Sequence, residues 1–119
     1  MSANSTDSPD GNIFLLEKIL FSGKEIFEPL IKGRNLLIER IISTGQSTAS
    51  GEFYDQERDE WVILLQGEAL LSFEDGRNVR LRRGDYTFIA AHVRHRVEQT
   101  SSEPPCIWLA VHAPRMQEL

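Results

Sequence analysis

Two side chains in this sequence have the type and setting for site chemistry. Glu60 opens the apolar run Trp61–Leu65, and His95 stands between Val93 and Val97. If a strand runs straight from Glu60, then Glu60, Val62 and Leu64 share a face. A carboxylate among such side chains needs a partner once buried, and a cation or an imidazolium supplies one. His95 taken alone reads as a core histidine bonded to a backbone group. It becomes a site residue only where Glu60 points into the same space. A carboxylate and an imidazole that converge can hold a divalent cation or work as an acid–base pair. His92 falls on the opposite face of a regular strand and so belongs near the rim. His112 ends the last strand and can face either way.

Other chemistries are poorly supplied. Cys106 is the single cysteine, which excludes an intramolecular disulfide and a Cys-rich zinc module. It lies in an apolar strand after Pro104-Pro105, where an inert core thiol is the simpler reading. Six of the ten arginines fall between Arg77 and Arg96, with Arg80 and Arg82 on one face and Arg94 and Arg96 on another. Such stripes either pair with the acidic residues of neighbouring strands or grip an anion through forked hydrogen bonds. No phosphate-binding glycine motif and no G-x-S-x-G accompanies them, so the structural version is favoured. The acidic run Glu52, Asp55, Glu57, Asp59 reads as a solvated loop.

The elements that must position Glu60 and His95 are short strands. Asn35–Ser43 is rich in Ile and Leu and runs into a Ser/Thr/Gly loop ending at Gly51. Trp61–Gln66 stops at Gly67, Glu68–Phe73 follows, and Asp75-Gly76 marks a turn. Asn78–Arg82, Tyr86–Ala90, Val93–Gln99 and Cys106–His112 complete the series. Ile13–Phe21 is a short helix or a strand, and Glu25–Leu30 is equally open. Regularly spaced strands with glycine turns and no long helical pattern predict an antiparallel sandwich or barrel.

With 119 residues the chain is one domain in size, read here as a tail over 1–11 and a domain over 12–115. The tail is expected to be disordered. An apolar fraction of 40% excludes wholesale disorder, and a net charge of −5 argues against a general nucleic-acid partner. No run approaches the roughly 20 apolar residues that span a bilayer. The expectation is a soluble cytoplasmic protein with no membrane partner.

Glu60-Trp-Val-Ile-Leu-Leu-Gln-Gly67 and the segment from Gly84 to His95 resemble the two motifs of the cupin superfamily. Glu39-Arg-Ile, Phe53-Tyr-Asp-Gln56, Asp59-Glu-Trp-Val62, Ala91-His, His95-Arg-Val97 and Trp108-Leu-Ala-Val-His112 are similar to one group of small single-domain bacterial cupins. The resemblance implies an all-β fold, the cupin conserved β-barrel: a double-stranded antiparallel jelly roll around a pocket, with room for a short helical turn near the N-terminus. It implies a metal site at Glu60 and His95. The family's H-x-H pair is absent, because no histidine precedes His92. A three-residue spacer puts its positions at Tyr54 and Gln56, and a four-residue spacer at Phe53 and Asp55. The first register offers two polar groups and is preferred. The metal ligands implied are Glu60, His95, Gln56 and Tyr54, with His92 disfavoured by strand parity. A neutral amide is a weak replacement for imidazole at a transition metal, so oxygen donors shift preference to harder cations.

Three functions compete. One is a metal-dependent enzyme holding a divalent ion of unassigned identity, another a metal-free pocket with Glu60 and His95 as an acid–base pair on a small molecule, and the third a binding or sensor barrel without turnover. A homodimer is expected, with Ile13–Phe21 or Asn35–Ile42 against the partner.

Overall fold

The computed structural model describes residues 6–16 and 23–119. It contains eight strands and, among the described residues, no helix: β1 Ile26–Gly33, β2 Leu36–Ser43, β3 Asp59–Gln66, β4 Ala69–Phe73, β5 Asn78–Leu81, β6 Tyr86–Ile89, β7 His95–Thr100 and β8 Cys106–Ala113. They form a five-stranded sheet in the order β1-β2-β8-β3-β6 and a three-stranded sheet in the order β5-β4-β7. Every pairing is antiparallel. This is the jelly-roll barrel that the cupin resemblance implies, and it agrees with the strand pattern. The ambiguous Glu25–Leu30 resolves as the start of β1, an edge strand. Of the Ile13–Phe21 stretch, residues 13–16 include a turn, and the remainder lies outside the described residues.

Alternation along the strands decides what fills the barrel. Val62 and Leu64 of β3, Ala69, Leu71 and Phe73 of β4, and Cys106, Trp108 and Ala110 of β8 make one core with Leu81 and Ile89. The glycine that closes the Glu60 motif has a steric task. Gly67 turns the chain at φ +93, and a Cβ there would lie 2.8 Å from Cys106 Sγ and 3.0 Å from its Cα. The glycine therefore lets β3 end against β8, with Glu60 near the other end of β3.

Two expectations are corrected locally. Val93–Gln99 is not one strand, because β7 begins at His95. Val93 N donates to Ala90 O in a turn and His92 has φ +64, so strand parity does not extend back past His95. Asp59 is not solvated. It is buried, and its two oxygens accept from the backbone N–H groups of Ala91 and Met116, which fastens the C-terminal segment to the rim.

Candidate functional site

The pocket lies between the two sheets, with about 530 Å3 of space counting its open mouth. Its apolar lining comes from Phe27, Ile41, Val62, Leu71, Ile89, Val97 and Trp108. Against this lining stand Glu25, Glu39, Tyr54, Gln56, Glu60, His95 and His112.

The wall contributed by β7 carries His95, only 5% exposed. Its Nδ1 donates to Val93 O at 3.0 Å. A carbonyl can only accept, so this bond places the proton of a neutral ring on Nδ1 and leaves Nε2 a free lone pair. Among the described residues no hydrogen bond reaches Nε2. Tyr54 pairs with His95 through backbone bonds in both directions, at 2.7 and 3.2 Å, and its ring stacks on the imidazole at 5.6 Å. Burial raises the Tyr54 phenol above its ordinary range, with smaller upward contributions from the Glu25 and Glu60 charges.

The wall contributed by the five-stranded sheet carries the carboxylates. Glu60 is 6% exposed. It lies directly across β3 and β8 from His112. Burial pushes its carboxyl above the ordinary 4.5, and Glu39 adds to the rise, while His112, His95 and a hydrogen bond from Gln56 pull it down. Since a carboxylate accepts, the Gln56 amide nitrogen donates, and Gln56 Oε1 is left buried with no partner. His112 Nε2 donates to Glu39 Oε1 at 3.0 Å in a buried pair. Glu25, just before β1, is also raised by burial and by Glu39, against a 2.6 Å hydrogen bond from Ser43 Oγ. Trp108 Nε1 donates in turn to Ser43 Oγ at 3.1 Å.

The structure thus brings Glu60, His95, Gln56 and Tyr54 around one pocket, in the register with Tyr54 and Gln56 inward. It keeps His92 out: that ring is 65% exposed and paired with Asp55 at 2.8 Å. Three pocket residues, Glu25, Glu39 and His112, were not singled out as ligands from the sequence. For His112 a signal existed, since Cys106, Trp108, Ala110 and His112 alternate on one face of β8. The arginines between Arg77 and Arg96 do not line the pocket. Arg77 pairs with Asp75, Arg82 with Glu68, Arg94 with Glu74 and Arg96 with Glu98. Cys106 is buried, with Sγ bonded to Glu68 O, as an inert thiol would be.

The donor set can be tested against a metal. Among the described residues, no three His, Cys, Asp or Glu side chains gather closely enough to hold an ion. His112 Nε2 is spent on Glu39. Glu60 and His95 are two strong donors, and the amide oxygen of Gln56 a weak third. That does not fit iron, manganese or zinc, which need more nitrogen or carboxylate donors at one point.

The profile of the Cupin domain family matches residues 41–112. A crystal structure from Ralstonia eutropha JMP134, of a protein provisionally named a mannose-6-phosphate isomerase, is 39% identical, with a TM-score of 0.84 over 91% of this chain and 100% of that one. A protein from Rhizobium leguminosarum bv. viciae 3841 shares the fold at 17% identity and TM-score 0.70, over 92% of this chain and 100% of its own. A cupin superfamily protein from Desulfitobacterium hafniense DCB-2 does so at 18% identity and TM-score 0.64, over 77% and 79%. No curated protein matches the chain.

Proposed function

This chain belongs to the Cupin domain family, and from that premise we propose that its barrel binds a small organic molecule without a transition metal, gripped by Glu60 and His95. The observation that carries the reading is that the free Nε2 of His95 and the buried Glu60 carboxyl line one pocket while, among the described residues, no third strong donor joins them. The pair has the makings of acid–base chemistry. Burial raises the Glu60 carboxyl above its ordinary range, and His95 Nε2 is an acceptor. Turnover is not required by the geometry, and binding is the reading preferred. The sugar phosphate in the name of the Ralstonia protein is not carried over. Among the described residues no lysine or arginine lines this pocket, whereas three glutamates do.

A second reading is a weakly held, harder divalent cation on Glu60 and Gln56. The unpartnered, buried Gln56 Oε1 favours it. Elemental analysis of protein purified without a histidine tag or chelator separates the two. The expected result is less than stoichiometric metal, with an organic ligand in native mass spectra. One equivalent of a divalent ion per chain would overturn the metal-free reading.

A homodimer completes the proposal. Leu30 and Ile31 of the edge strand β1 are half exposed, an apolar surface suited to a second copy. Light scattering that finds a stable monomer at micromolar concentration would reject it. Among the described residues no helix is long and apolar enough to cross a membrane.

A further inference from the structure

We propose that the ligand of this pocket is a small organic cation, a protonated amine on an apolar body. The inference rests on the reading of the barrel as a small-molecule pocket and adds the charge and hydrogen-bonding class of what enters it.

The argument is an inventory of donors and acceptors. Apart from the Tyr54 phenol, the donors around the cavity are used within the protein. His95 Nδ1 donates to Val93 O, His112 Nε2 to Glu39, Trp108 Nε1 to Ser43 and Ser43 Oγ to Glu25. Gln56 donates to Glu60. What remains unmet is acceptor capacity. Gln56 Oε1 is buried with no partner. His95, 95% buried on a 5% exposure, offers Nε2 with no partner among the described residues. A carboxylate accepts at about four lone-pair positions, and Glu60 has one donor directed at it. A ligand that satisfies these atoms must donate.

Charge narrows the class from any donor to a cation. Glu25, Glu39 and Glu60 line the cavity with His95 and His112, and among the described residues no lysine or arginine does. Arg58 lines an adjoining cleft beside Glu57, on the far side of Gln56 and His112, and is not among the pocket residues. Glu39 repels both Glu25 and Glu60, so a positive group among the three relieves a cost that the protein bears alone. An ammonium presents three donors and one charge at a single point. The floor of Val62, Leu71, Ile89 and Trp108 accommodates the hydrocarbon behind it. An anionic ligand would meet carboxylates with no lysine or arginine of the described residues to offset them.

The test uses the full chain and three probes of one shape: cyclohexylamine, cyclohexanol and cyclohexanecarboxylate. Each is titrated at neutral pH and followed by protein NMR shifts and calorimetry. The amine is expected to bind at least about tenfold tighter than the alcohol, with the carboxylate weakest. Glu60→Gln, checked for folding by circular dichroism, should erase that preference. Glu25→Gln should reduce it by a smaller factor and serves if Glu60→Gln fails to fold. Equal binding of all three, tighter binding of the alcohol or carboxylate, or an amine preference that survives both variants overturns the cation while the organic-ligand pocket stands. Binding of none of the three, with magnesium or manganese bound at one per chain, overturns both. Binding of none without such a metal also overturns both.

Discussion

His95 and His112 face the same pocket from opposite sheets, and their surroundings differ in kind. His95, on the three-stranded sheet, gives one nitrogen to a backbone carbonyl and keeps the other for the cavity. Its neighbours are rings, Tyr54 at 5.6 Å and Phe73 at 6.0 Å. His112, on the five-stranded sheet, spends Nε2 on Glu39 and sits directly across from Glu60. One wall is a poised acceptor, and the other is a charge-compensating pair. The difference teaches that histidines lining one cavity need not share a role: His112 makes the burial of two carboxylates tolerable, and His95 is left free for what enters.

The largest expected effect comes from breaking the second wall. His112→Leu leaves Glu39 and Glu60 buried without their imidazole, and removing one partner of such a pair costs about 3 kcal/mol or more. His95→Leu forfeits one hydrogen bond to a carbonyl, about 1 kcal/mol. Urea unfolding at neutral pH should therefore rank His112→Leu well below His95→Leu. The reverse order would mean that the two walls have been assigned the wrong way round.

A gain of function sharpens the contrast next. Gln56→His adds an imidazole beside Glu60 and His95, completing three strong donors, and zinc affinity should rise about tenfold or more. Adding His95→Ala should cancel the gain, whereas adding His112→Gln should leave it. Calorimetry at fixed pH reads both, because protons compete with the metal. An affinity unchanged by Gln56→His would show that the β7 wall cannot be built into a metal site.

The smallest effect is a slope. Glu60 binds its proton more tightly in the folded chain than at the unfolded 4.5. Its contribution to stability is therefore whole below pH 4.5 and is lost as pH rises through the raised folded value. Glu60→Gln, which cannot ionise, should lose less stability than wild type over that rise, with Glu25 keeping part of the slope in both. Thermal melts at several pH values measure it. A variant whose slope steepens would mean that the imidazoles, and not burial, dominate at Glu60.

Part of the pocket was legible in the chain, and the reason is local. Glu60, Val62 and Leu64 alternate along a strand that ends at Gly67, a relation that needs only strand parity over a few residues. The three-residue spacer that sets Tyr54 and Gln56 inward comes from the cupin resemblance. His92 lies at the rim, where parity put it, but for another reason: a turn at 90–93, not a strand, sets it against Asp55.

The second wall required the fold. In Leu36–Ser43 both faces are apolar, with Leu37 and Ile41 on one and Ile38 and Ile42 on the other, so periodicity could not say whether Glu39 or Arg40 points inward. The pairing of β2 with β8, far apart in sequence, decides it. Glu39 turns in to His112, while Arg40 turns out to Glu28 and to the backbone carbonyls of Ile13 and Leu15. Sequence alone determined most of the strands and their antiparallel class, because alternation and glycine turns are written within short segments, and the motif resemblance singled out the barrel and the Glu60–His95 pair. Only the tertiary structure decided that three carboxylates and a second histidine share the cavity, because that depends on the register between strands that meet only once the chain has closed.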